Sequence, residues 1–201
     1  MNPARFSPRT MNRFVETLST EIGPDTYHAV LSNSGLSHAW RSPEFFLSMD
    51  ASQAAEAYAK LQGSLRTYYG RGARGTLMRI GSKLWQPILG DAPLALKAKT
   101  TLLRGLPKSL KRKSVLELLA GLLGSGRGSI TIHTLDLDLL LVDQNSPTTL
   151  GQTEDSPICF VTFGLIRESL YWATGEEHDI EERACRAMGA HQCEFKITIG
   201  A

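Results

Sequence analysis

The sequence predicts an α+β fold, with an N-terminal helical region packed on a small antiparallel sheet with helices. Three observations carry this expectation. Apolar residues recur at helical spacing in successive blocks as far as Leu123. A Gly/Ser/Arg run, Gly124 to Gly128, then breaks the composition. Beyond it Ser129 to Thr134 alternates at period two, and Leu135 to Val142 is a rich apolar strand with Asp136 and Asp138 on its other face. With 201 residues the chain fits one domain, or one domain plus a helical extension, and can bury a good core. The division predicted is a flexible arm at 1–10, a helical region at 11–113 and a C-terminal domain at 114–201.

Each element follows from local pattern. Pro3 and Pro8 suit a loose arm. Thr10 is placed to cap a helix to Ile22, with Phe14, Leu18 and Ile22 on one face, and Gly23-Pro24 stops it. Asp25 caps a second helix carrying Tyr27, Val30 and Leu31, which ends near Ser34-Gly35. Leu36 to Asp50, with Trp40, Phe45 and Phe46, reads as an apolar loop laid over the core. Ser52 to Tyr69 is a long helix with Ala55, Tyr58 and Leu65 inward, and Gly75 to Leu89 another with Ile80 and Trp85 on its face. Further helices start at Asp91-Ala92-Pro93 and at Pro107, the latter reaching Leu123. Pro157 precedes a helix over 158–173, ended by Thr174-Gly175. Strands over 178–186 and 192–199 close the chain as a hairpin across Met188-Gly189-Ala190.

Charge and motifs exclude several classes. The net charge of +2 hides an asymmetry: Lys60 to Lys113 holds thirteen basic residues against Asp91 alone, whereas acids dominate after Val115. Such polarity could meet an anionic ligand or a membrane surface, but mutual neutralisation of the two halves is the preferred reading. Lys108, Lys111, Arg112 and Lys113 open a helix, where the dipole disfavours cations, which favours an outside partner such as an acidic neighbour or an anion. Gly70 to Gly75 is glycine-rich, yet no strand precedes it and no Lys-Ser/Thr closes it, so nucleotide binding is not inferred. No helix-turn-helix signature or aromatic sheet points to DNA. The N-terminus lacks an apolar stretch, so neither a signal peptide nor a membrane span is expected, and a reducing cytoplasm suits the free thiols.

All the cysteines, Cys159, Cys185 and Cys193, lie in the last third of the chain. Glu182 stands three residues before Cys185. Three thiols and a carboxylate can close a tetrahedron around zinc, with His191 competing for the Glu182 position. Buried cysteines that act as small hydrophobes are the alternative. A metal set also makes a demand. Glu182 and Cys185 are an odd number of residues apart, so a regular strand would put them on opposite faces. The strand must bulge or end between them.

The runs Cys159 to Leu165, Trp172 to Gly175, Glu182-x-x-Cys185 and Cys193 to Ile197 are similar to the 4-vinyl reductase domain. That module occurs in bacteriochlorophyll-biosynthesis and archaeal hydrocarbon-binding proteins. It also forms the sensory part of phenol- and xylene-responsive activators, and resembles Golgi transport-complex subunits in fold. The resemblance implies the NO-signalling/Golgi-transport ligand-binding-like fold. It also implies a zinc held by Cys159, Glu182, Cys185 and Cys193. With four protein ligands no position is left for water, so the zinc would be structural rather than catalytic.

The expected function is a module that senses or carries a small hydrophobic molecule, in a homodimer; the apolar content suggests a bulky ligand, a hydrocarbon or a tetrapyrrole, rather than phenol itself. Trp85, His133, Phe163, Trp172 and Ile180 are the candidate ligand-binding residues. A vinyl reductase, or an accessory protein of pigment synthesis, is the enzymatic alternative. It lacks support here, since no dinucleotide fingerprint is present and the cysteines are too few for an iron–sulfur cluster beside zinc. A protein-interaction scaffold is a third reading.

Overall fold

The computed structural model describes residues 4–36, 42–124 and 128–199. Among these, helices α1 (Pro8–Ile22), α2 (Pro24–Asn33), α3 (Ala51–Tyr69), α4 (Ala73–Gly90), α5 (Leu94–Arg104) and α6 (Lys108–Leu123) precede the hairpin β1 (Ile130–Leu135) and β2 (Asp138–Asp143). Helix α7 (Phe160–Thr174) then leads into β3 (Asp179–Ala184) and β4 (Cys193–Thr198). The sheet is antiparallel throughout, in the order β1-β2-β4-β3. The molecule is α+β, as the change of period at Gly124–Gly128 predicts.

Caps refine the boundaries. Ser7 rather than Thr10 caps α1, and Pro8 occupies its first turn, where a missing N–H leaves nothing unpaired. Asp50 and Gln53 make a reciprocal capping box on α3. Gly23, in a positive-φ conformation, separates α1 from α2.

Three expectations change. The segment expected as a flexible arm packs on the core from residue 4 onward: Ala4 and Phe6 are buried, and Phe6 donates its N–H to the Ala51 carbonyl and stacks on Tyr58 at 4.2 Å. An aromatic ring that finds an apolar slot outweighs the two prolines as a guide. The run Leu135 to Val142 is not one strand, because Asp136-Leu137 turns the chain and pairs Leu135 with Asp138. Asp136 takes φ +53°, a conformation that aspartate tolerates better than most residues. Pro43–Ser48 forms a 3-10 turn that buries Phe46 and leaves Phe45 exposed, so the predicted apolar loop is partly ordered. Trp40 and the middle of the Gly/Ser/Arg run lie outside the described residues.

The core spans both halves. Leu139 and Leu141 of β2 face Ile197 and Phe195 of β4, and these join Leu116 and Leu119 of α6 and Leu165 of α7 in one apolar cluster. Helices α4 and α7 cross in backbone contact. A Cβ on Gly81 would lie 2.1 Å from the Val161 carbonyl oxygen, and one on Gly164 would lie 2.1 Å from that of Met78. The close crossing holds α7, and so its N-terminal Cys159, against the helical half.

Charge neutralisation across the halves is visible. Arg66 pairs with Glu154 at 3.0 Å, and Lys108 and Arg112 converge on Glu176 at 2.6 and 2.8 Å. The outside partner expected for the Lys108 cluster is thus replaced, for Lys108 and Arg112, by an acid of the same chain. No helix among the described residues is long and apolar enough to cross a membrane.

Candidate metal centre

Four ligand-type atoms converge where α7 meets the β3–β4 hairpin. Cys159 is the N-cap residue of α7, with its side chain fully buried. Pairing of β3 with β4 slips between Glu182, opposite Phe195, and Ala184, opposite Glu194. This is the bulge that a shared site requires: one extra residue brings Glu182 and Cys185 to the same face. A 3-10 turn, Arg186–Met188, ends in Gly189 at φ +89° and returns the chain to Cys193. Only a residue free of a Cβ takes that left-handed position cheaply.

The sulfur atom of Cys159 lies 3.6 Å from that of Cys193 and 4.0 Å from that of Cys185. All four ligand atoms, Glu182 included, lie within 4.8 Å of one another. A tetrahedral zinc with bonds of about 2.3 Å to sulfur has sulfur–sulfur edges of about 3.8 Å. The observed spacing brackets that edge. Glu182 Oε2 accepts the Cys159 N–H at 3.1 Å, while its Oε1 is buried with no hydrogen-bond partner. A buried carboxylate oxygen without a partner is costly, and a cation is the partner that this donor set fits. His191 is exposed and stands outside the cluster.

Electrostatics agree with that reading. Burial, with the neighbouring Cys185, pushes the Glu182 carboxyl up to about 8. Hydrogen bonds from Cys159 and Cys193 hold the Cys185 thiol well below its ordinary range, whereas the same sulfur contacts and burial push Cys159 well above it. Burial and mutual contact thus oppose ionisation of Glu182 and Cys159 together. A divalent ion reverses that balance, since it favours the deprotonated form of every ligand. The Arg186 N–H already points at the Cys193 sulfur at 3.4 Å.

The candidate ligand-binding residues do not surround one cavity. Trp85 is fully buried and meets Trp172 edge-on at 5.7 Å, its indole N–H without a partner. Phe163 is half-buried on α7, and Ile180 is buried opposite Ile197 in the sheet. His133 is exposed on β1, bonded to Thr131 at 2.9 Å. A different cavity lies between the helical half and the sheet. Phe6, Leu123, Ile130 and Leu165 supply its apolar wall, and Tyr58, Asp143 and Thr162 its polar one. Its volume of about 20 Å³ holds roughly one water molecule. It adjoins the cysteines: Asp143 pairs with Cys193 in the sheet, and Ser146 Oγ lies 3.7 Å from the Cys159 sulfur. Asp143 is buried, which pushes its carboxyl up to about 6 despite the Asn145 N–H bound to it. The apolar run ending in an acid at Asp143 is the one sequence signal that could have pointed to this cavity.

Residues 143–199 match the family model of the 4-vinyl reductase domain. The C-terminal part of the chain thus carries the resemblance read from its motifs. No curated protein sequence matches the chain. Among solved structures, the whole chain resembles an H-NOX protein from S. oneidensis in the Fe(II)NO ligation state. The TM-score is 0.61 at 12% identity, over 97% of this chain and 99% of that one. A variant H-NOX protein from K. algicida gives 0.56 at 10% identity, over 95% of both chains. The phenol-responsive sensory domain of the transcription activator PoxR, solved with phenol, gives 0.50 at 15% identity over 71% and 72%. At these identities the likeness is one of fold.

Proposed function

We propose that this chain is a non-enzymatic module that binds a small hydrophobic molecule in the cavity between its two halves, beside a structural zinc. Zinc would be held by Cys159, Glu182, Cys185 and Cys193, and would clamp the start of α7 to the β3–β4 hairpin. The observation that carries the zinc reading is the buried Cys3Glu cluster at tetrahedral spacing with an unpartnered carboxylate oxygen. The ligand reading is supported by the cavity next to it, apolar on one side and offering Tyr58, Asp143 and Thr162 on the other. The match to the 4-vinyl reductase domain and the fold shared with a phenol-responsive sensory domain and with H-NOX proteins add support.

At about 20 Å³ the cavity is smaller than any such ligand. Entry requires that lining residues such as Arg5 and Phe6 move aside. A hydrocarbon or single aromatic ring needs less of that movement than a tetrapyrrole, so ligands of the smaller class are expected to bind first. Thermal-shift titration with phenol, naphthalene and a porphyrin tests this on the wild type and on Thr162→Phe, which fills the cavity. A saturable rise in Tm with at least one compound, lost in Thr162→Phe while its own fold persists, is expected. No rise with any of them would contradict the reading.

A further inference from the structure

We propose that the groove between the end of α3 and the start of α4 binds a phosphate-bearing small molecule. The groove has a volume of about 640 Å³ and lies apart from the internal cavity. Lys60, Arg66, Arg71 and Arg74 line it, with Phe160 as an apolar floor and Glu154 as the only carboxylate among the lining residues. Glu154 is already spent on Arg66 at 3.0 Å, and Lys60 meets Glu56 only across an exposed helix face. Arg71 and Arg74 have no acidic partner among the described residues. The buried Nη1 of Arg66 has no hydrogen-bond partner either.

The backbone adds to this field. A 3-10 turn, Gly70–Gly72, runs directly into α4 at the groove, and the first turn of α4 carries no acid but Arg74. Positive charge at the positive end of a helix is unfavourable, and a bound anion removes the penalty. Nothing lies within 4 Å of where a Cβ would stand on Gly70 or Gly72, so the rim is open to a ligand. This is not a nucleotide loop: the contacts come from arginine side chains, whose planar forks suit the several acceptors of a phosphate. Arg74 lies 6.0 Å over the Phe160 ring, which leaves apolar surface for an organic ester group beside the anion.

Isothermal titration at constant ionic strength tests this with inorganic phosphate, phenyl phosphate and benzoate, on the wild type and on Arg71→Gln/Arg74→Gln. Both arginines are exposed, so the variant should keep the fold, which circular dichroism checks. Saturable binding of phenyl phosphate tighter than phosphate, weakened about tenfold or more in the variant, is expected. Benzoate binding as tightly would overturn the phosphate assignment, and absence of both saturable ester binding and arginine-dependent binding to phosphatidate vesicles would overturn the site. Vesicles containing phosphatidate provide a further arm. Sedimentation that needs the same two arginines, without binding of the soluble esters, would assign the phosphate to a lipid headgroup. Neither result depends on zinc or on the internal cavity.

Discussion

Asp143 is the residue at which burial and chemistry meet most openly. Its carboxyl sits at about 6 instead of 3.8 because burial disfavours the charged form. A raised folded value means that its contribution is favourable below the unfolded value and is lost as pH rises toward 6. The shift corresponds to about 3 kcal/mol. Asp143→Asn cannot ionise, so the stability difference between variant and wild type should move by about that amount in the variant's favour from pH 3.5 to 7. Urea midpoints at the two pH values measure it, and parallel curves would contradict the burial argument. Asp143 and Tyr58 also mark the limit of sequence reading at this scale. The Cys159, Glu182, Cys185 and Cys193 set is legible from spacing and family motif, and the folded chain brings the four together. Tyr58 reads only as an inward helix residue, since its meeting with Phe6 and Thr148 depends on segments far away in sequence.

Among the elements, the α4–α7 crossing and the β3 bulge set the geometry of the site. Gly164→Ala would drive a Cβ into the Met78 carbonyl, where neither backbone can yield without separating the helices. A loss of about 3 kcal/mol or more is expected. Gly175→Ala, at an open helix end, should lose about 1 kcal/mol through φ alone. Denaturant titration of the pair separates close packing from backbone conformation, and equal losses would contradict the packing account. Neither glycine of the crossing stands out in the sequence, because only the partner helix makes it necessary. The bulge was legible as a requirement, since Glu182 and Cys185 cannot share a face of a regular strand. The Asp136-Leu137 turn was not, because flanking leucines hide it within an apolar run and no Gly or Asn marks it.

At the level of the molecule, the two halves meet through one core and through ion pairs that tie Arg66, Lys108 and Arg112 to Glu154 and Glu176. The fold class was legible because the hydrophobic period first changes from helical to alternating at a glycine-rich junction. How the halves enclose a cavity was not, since that depends on which helix faces meet. In the proposed reading a metal clamp at this meeting point links α7, the cavity wall and the terminal hairpin, so metal binding contributes directly to stability. Native mass spectrometry of freshly purified protein, beside a denatured control and Cys193→Ser, is the measurement to make. One zinc per wild-type chain, absent from Cys193→Ser and accompanied by a lower Tm in the variant, is the expected result. A wild-type chain that stays metal-free after incubation with zinc, and whose Tm the added zinc does not change, would contradict the clamp.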